Sequence, residues 1–249
     1  MKKTKCKMDL QPGEHLDDLL IQDMKIIQHD QQFKFSLDAV LLAHFAMLKP
    51  KDKVADLGTG TGVIALLMAA RGAAAVEGFE INPIMTDMAR RSVLYNGLEN
   101  RIVMRAMDLR KIKAEVLAGG FDLVVSNPPY RSIQAGKISF HDDIAIARHE
   151  ILANLQDVVH AAKHLLKFKG RFAMVHLPER IAEIIVTMHQ ANIEPKRMRM
   201  VQGTLDKKPT MVLIEGVVGA KPGIDVAQSL IIYKQDGTYS DEVLKYYQK

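Results

Sequence analysis

The sequence predicts an α/β fold, a mainly parallel sheet with helices on both faces that closes on an antiparallel C-terminal hairpin. Three observations predict it. The period of the apolar residues switches repeatedly between two and about 3.6 along the chain. Most strand-like runs are separated by helical stretches that suit parallel crossovers. The last two long strand-like runs are separated only by Gly203 to Pro209, too short for a helical crossover and right for a hairpin.

Met24 to Gln28 and Phe33 to Phe35 read as two short strands around the polar His29-Asp30-Gln31-Gln32. Leu37 to Leu48 carries apolar residues at helical spacing, and Pro50 and Asp52 mark its end. A strand at Lys53 to Leu57, a glycine turn and a helix from Val63 to Arg71 follow. Next come a strand at Ala74 to Glu80, a helix from Pro83 to Asn96 and a strand at Ile102 to Ala106. A helix is expected over Ile112 to Ala118, before the strand Phe121 to Val125. Asp142 to Lys167 reads as one long helix or two short ones, Arg171 to Leu177 as a strand, and Glu179 to Asn192 as a helix. Arg197 to Gln202 and Thr210 to Val218 form the hairpin. Leu230 to Lys234, a Gln-Asp-Gly turn and a helix from Ser240 to Tyr247 make a small appendix. The organisation expected is a single domain over 1–249, with a hairpin and helix over 1–50, a core over 51–218 and the appendix over 219–249.

Composition supports one substantial core, since 48% of the 249 residues are apolar. The single cysteine, Cys6, excludes an intrachain disulfide and a cysteine-cluster metal site, and it favours a reducing, cytoplasmic setting. The basic start has the charge of a signal-peptide n-region, but Asp9, Glu14, Asp17 and Asp18 stand where an apolar h-region would be needed. No run is apolar and long enough to span a bilayer, so no membrane partner is expected. A net charge of +5 is compatible with nucleic acid and decides little alone.

Ligands of such sheets bind beyond the carboxyl ends of the strands, where the chain order reverses. At the first such end stands Asp56-Leu57-Gly58-Thr59-Gly60-Thr61-Gly62. Gly58, Gly60 and Gly62 let the backbone turn tightly and approach a ligand. Their spacing is not the Gly-x-Gly-x-x-Gly of dinucleotide binders, and Asp56 would repel a pyrophosphate and attract an ammonium. The pattern therefore favours a cationic, nucleoside-containing ligand over a bare strand-to-helix turn. Glu80 ends the next strand about twenty residues on, where a carboxylate takes ribose hydroxyls; alone it reads equally as a strand-end cap. Asp108 follows the third strand, set to accept from an adenine amine with Met107 and Leu109 against the ring; alone it is more often a helix N-cap. Three acids ending successive strands point to one adenosyl site. Asp38 is placed to close it and reads as well as an early helix acid.

These residues, with Asn127-Pro128-Pro129-Tyr130 after the fourth core strand, carry a resemblance over about Phe33 to Val218. The chain resembles the class I S-adenosylmethionine-dependent methyltransferases, which implies a Rossmann-like fold and S-adenosylmethionine as cofactor. By that resemblance Asp56 and the glycine loop hold the methionine part, Glu80 the ribose, and Asp108 the adenine. In amino-methyltransferases similar to this chain, an Asn-Pro-Pro-Tyr tip receives a planar nitrogen. The Asn127 side-chain oxygen and the Pro128 carbonyl would each accept a hydrogen of the target amine, Pro129 would help fix that carbonyl, and Tyr130 would stack on the substrate. Alignment and electrostatics then supply the acceleration, so no general base is assigned to His141, His149 or Glu150. His141, Asp142 and Asp143 are sequence neighbours that do not converge on an ion, and no metal is expected.

The tip admits a base amine or a protein amide. Glutamine methyltransferases acting on release factors share it but resemble a longer chain with a helical domain ahead of the glycine loop. DNA adenine methyltransferases usually add a target-recognition region. The chain most resembles bacterial tRNA adenine-N6 methyltransferases that modify the purine beside the anticodon of a valine tRNA, notably through Leu19 to Gln28, Phe33 to Phe45 and Thr210 to Gly216. A non-enzymatic RNA-binding factor retaining the fold is the other class, though it would have little reason to keep both the acids and the tip. For an RNA substrate, Arg131, Lys137 and Arg148 flank the pocket in sequence, and Lys196, Arg197, Arg199, Lys207 and Lys208 cluster at the hairpin, as phosphate contacts or as a solvated basic surface. Monomer and homodimer are both compatible with the sequence.

Overall fold

Strand β3 (Lys53–Leu57) and strand β6 (Phe121–Ser126) lie side by side and parallel at the centre of the sheet. Successive residues of these strands face opposite layers. Val54, Leu123 and Val125 enter one apolar cluster, and Ala55, Leu57 and Val124 enter the other. Near-continuous apolar runs are what a sheet buried on both faces requires. The computed structural model describes residues 9–32, 35–128 and 153–247.

From β3 the chain continues through α2 (Val63–Ala70), β4 (Ala75–Glu80), α3 (Pro83–Tyr95) and β5 (Ile102–Ala106) toward one edge. A short helix α4 (Ile112–Glu115) then leads back to β6. On the other side follow α5 (Leu155–Leu165), β7 (Leu166–His176), α6 (Ile181–Gln190), β8 (Ile193–Gln202), β9 (Met211–Val218) and β10 (Asp225–Ile231). The eight strands stand in the order β10-β8-β9-β7-β6-β3-β4-β5, with β9 antiparallel to both neighbours. The Rossmann-like arrangement and the antiparallel ending are those the sequence predicts. The helix α1 (Leu37–Phe45), with α2, α3 and the C-terminal α7 (Asp241–Tyr246), covers one face; α4, α5 and α6 cover the other.

Several boundaries differ, each for a physical reason. Strand β2 (Lys25–His29) pairs with β1 (Glu14–Asp18), not with a strand over 33–35. Phe33 and Lys34 lie outside the described residues, and Phe35 is in no strand. The β1–β2 connection turns on Leu20, Gln22 and Asp23, all with positive φ, so no glycine announces it. Helix α1 stops at Phe45 because the buried Glu215 carboxylate of β9 takes the Met47 amide at 2.8 Å. Of the stretch 142–167, residues 142–152 lie outside the described residues. Helix α5 begins at a capping box of Asn154 and Asp157, and Leu166 already belongs to β7. Pro195 falls at a register shift in β8, which lets that strand begin earlier than a proline suggests. The segment read as an appendix supplies an eighth strand, β10, parallel to β8.

Candidate active site

The carboxyl ends of β3, β4, β5 and β6 meet at one edge, and the chain order reverses between β3 and β6. The Ser126 hydroxyl, at the end of β6, donates to the Leu57 carbonyl at 2.9 Å, locking the two strand ends together. At this edge Gly58, Gly60 and Gly62 have φ of 70°, 58° and 89°. A Cβ on Gly62 would also stand 2.9 Å from the Met104 methyl, so Gly62 is fixed by conformation and by space. The loop folds back on β4, with the Gly58 and Thr59 amides donating to the Phe79 carbonyl at 2.9 and 3.1 Å.

Asp56 is fully buried under this loop. Its Oδ2 accepts from the Thr59 hydroxyl at 2.6 Å, while Oδ1 has no partner among the described residues. Burial pushes the carboxyl up to about 7; the Thr59 hydroxyl and, more weakly, the Ala65 backbone amide oppose the shift, and the nearby charge of Glu80 adds to it. A buried carboxylate with an unsatisfied oxygen fits a ligand that brings an ammonium. Glu80, also buried, accepts from the Gly60 amide at 2.9 Å and from the Asn82 amide at 2.8 Å. Those bonds take one lone pair from each oxygen and leave one on each for hydroxyl donors.

Asp108 follows β5 and caps a 3-10 turn over Leu109–Lys111. Arg110 grips it through both Nε and a terminal nitrogen and holds its carboxyl below the usual range. Met107 and Leu109 pack partly buried beneath. Asp38 is buried in the first turn of α1, accepting from the Ser36 hydroxyl at 2.5 Å and the Ala39 amide at 2.8 Å. Asn127 is half-buried and Pro128 buried, directly after β6. Pro129, Tyr130, Arg131, Lys137 and Arg148 lie outside the described residues, as do His141, Asp142, Asp143, His149 and Glu150. The structure thus brings Asp56, Glu80 and the glycine loop into direct contact, and it sets Asn127 beside them through the β3–β6 pairing.

The basic hairpin is heterogeneous. Arg197 donates to Glu215 at 3.0 Å and lies over the Phe45 ring, and Arg199 forms a two-pronged pair with Glu242. Lys196 donates to the Lys221 carbonyl. Lys207 and Lys208 stand exposed in the β8–β9 turn.

Two residues not singled out from the sequence, Gln28 and Gly78, hold the site together. The fully buried Gln28 of β2 donates to the Thr61 hydroxyl at 2.8 Å, and its carbonyl accepts the Phe35 amide, so it ties the N-terminal hairpin to the glycine loop. Its signal is a polar residue inside an apolar strand. Gly78 sits within β4, where a Cβ would stand 2.5 Å from the Met104 sulfur and 2.9 Å from Thr59. A lone glycine in a strand is the mark of such close approach. His176 ends β7, where burial pushes its imidazole down to about 4 and keeps it neutral. Among the described residues no group of His, Cys, Asp and Glu could hold a metal ion, and no helix is long and apolar enough to cross a membrane.

Residues 36–194 match the family model described as methyltransferase small domain. A tRNA1(Val) (adenine(37)-N6)-methyltransferase of Porphyromonas gingivalis is 32% identical over 223 residues, covering 84% of each chain. One of the same name from Haemophilus influenzae is 26% identical over 228 residues, covering 88% of this chain and 92% of the relative. Among solved structures, a predicted O-methyltransferase from Agrobacterium tumefaciens superposes with a TM-score of 0.69 at 20% identity, over 85% of this chain and 95% of that one. That last likeness is one of fold.

Proposed function

The chain belongs to the methyltransferase small domain family and is an S-adenosylmethionine-dependent methyltransferase, and from that premise we propose that its acceptor is N6 of an adenine in the anticodon loop of a valine tRNA. The relatives bearing that activity in their names cover most of the chain, which favours this acceptor over a release-factor glutamine. The observation that carries the site is the buried Asp56 with its unpartnered Oδ1 beside Glu80. Asp56 is the partner for an ammonium, Glu80 for two ribose hydroxyls, and the glycine loop the cradle that lets a ligand lie against the backbone. The bound cofactor supplies an electrophilic sulfonium methyl. Asp108 is the candidate for the adenine amine, which requires it to share its carboxylate with Arg110. Asp38 is the candidate to close the pocket from α1.

Asn127 and Pro128 accept the two hydrogens of the target amine, drawing electron density toward its nitrogen and aiming the lone pair at the methyl. Pro129 and Tyr130 follow them in the same Asn-Pro-Pro-Tyr motif. A loop adenine is a favourable substrate because an unpaired base is splayed into a pocket at less unstacking cost than a paired one. Lys207 and Lys208 offer phosphate contacts in the hairpin, with Arg131, Lys137 and Arg148 beside the pocket in sequence. Lys196, Arg197 and Arg199 add to the local field while holding their own partners. We place the reaction in the cytoplasm, with residues 51–218 carrying the chemistry and 1–50 and 219–249 buttressing it. Replacing Asn127 by Ala tests the reading. Methyl transfer to tRNA should fall by roughly a hundredfold or more, the scale of losing a donor or acceptor aimed at the transition state, with cofactor affinity unchanged. Undiminished turnover would remove Asn127 from the mechanism.

A further inference from the structure

Four of the six tyrosines of the chain lie after residue 232, and three of them form a stack. The Tyr233 and Tyr239 rings are 5.4 Å apart and 13° from parallel, and Tyr239 and Tyr247 are 6.1 Å apart at 27°. Tyr239 and Tyr247 pack on the core, whereas Tyr233, 39% exposed, ends the stack in solvent. Burial raises Tyr239 and pushes Tyr247 up to about 12, so these phenols carry no negative charge at neutral pH.

The place of the stack matters as much as its geometry. Strand β7 is parallel to β6, β9 runs against β7, β8 against β9, and β10 along β8. Strands β8 and β10 therefore end at the same edge as β3, β4 and β6. The Ile232 and Tyr233 amides donate to the Gln202 and Gly203 carbonyls at 3.0 and 2.8 Å, which fixes Tyr233 beside the turn bearing Lys207 and Lys208. Four strand spacings separate β10 from β6, about 19 Å at roughly 4.8 Å each. That is a reach of a few nucleotides along a single strand.

We propose that Tyr233, backed by Tyr239 and Tyr247 and flanked by Lys207 and Lys208, is a second nucleotide platform that stacks an unpaired base of the same RNA whose adenine is seated at Asn127. The proposal rests on the RNA reading above. A ring supported from behind by two others is ordered in advance, so little side-chain freedom is lost on binding. Stacking on such a ring tolerates any base, and the two lysines neutralise adjacent phosphates. The platform would thus set the register of the loop without reading its sequence.

The test uses the full chain with unmodified tRNA1(Val) transcript, measuring binding by anisotropy and methyl transfer in parallel. Tyr233→Ala should weaken RNA binding by about tenfold or more, within the range that stacking one base provides, with S-adenosylmethionine affinity unchanged. Tyr233→Phe should retain wild-type affinity, since the ring and not the hydroxyl is used. The double substitution Lys207→Ala and Lys208→Ala should lower the slope of log affinity against log salt by about 1.4, or ~0.7 for each phosphate no longer neutralised. A wild-type protein that methylates the transcript while Tyr233→Ala binds it equally well would overturn the platform and leave the RNA reading standing. A wild-type protein that neither binds nor methylates the transcript would overturn both.

Discussion

Asp56 is held in an environment that disfavours its charge, and this gives the site a measurable pH response. Its carboxyl, raised to about 7, faces Glu80 across the glycine loop and has one oxygen without a partner among the described residues. In the proposed binding mode a ligand ammonium pairs with the ionised form, so binding draws the proton off. While the ligand ammonium stays protonated the apparent Kd scales as 1 + 10^(7 − pH), and affinity should tighten about fivefold from pH 6 to pH 7 in calorimetric titrations, levelling off as the ligand amine itself titrates near pH ~8. Asp56→Asn should weaken binding and flatten that dependence. In the ligand-free protein the sign is opposite: the folded pKa lies above the usual 3.8, so this contribution to stability is whole below 3.8 and lost as pH rises through 7. A melting temperature series without ligand, compared between wild type and Asp56→Asn, reads that loss.

At the scale of elements, Gly78 supports the site from within β4, while Arg171 ties strands together at the opposite, amino edge of the sheet. A methyl on Gly78 would press on Met104 and Thr59, displacing the hydroxyl that Asp56 accepts. Gly78→Ala should cost roughly 1–3 kcal/mol in denaturant unfolding and weaken the cofactor, as overpacking does. Arg171 of β7 pairs with Asp52 at 2.9 Å with both side chains buried, and it also donates to the Met47 and Asp122 carbonyls. Arg171→Ala strands the Asp52 charge and should cost about 3–5 kcal/mol, whereas replacing both partners by apolar residues of similar volume should cost far less.

Elements of this kind also mark where the sequence is legible. Ile102–Ala106 and Lys53–Leu57 can be read to the residue because their patterns are local. The β1 partner of β2 escapes such a reading because Leu16 is the only apolar residue in Glu14–Asp18 and its turn contains no glycine. The end of α1 depends on Glu215, far away in sequence. Likewise the strand-end acids Asp56 and Glu80 stand out as motif positions. The Gln28 to Thr61 bond does not, since it joins residues that only the folded sheet brings together.

For the whole molecule, the carboxyl edge of one sheet gathers the glycine loop proposed as cofactor cradle, Asn127, the exposed lysines and the tyrosine stack. Binding of tRNA across that edge should weaken steeply with salt, by ~0.7 to 0.9 in the log–log slope per phosphate neutralised, and a salt-insensitive affinity would contradict an electrostatic interface. The most direct measurement of the central claim is methyl transfer from labelled S-adenosylmethionine to total bacterial tRNA and, separately, to release-factor protein, followed by nucleoside digestion and mass analysis. The expected result is N6-methyladenosine in the tRNA and no label in the protein. Label in the protein alone, or in neither, would contradict it.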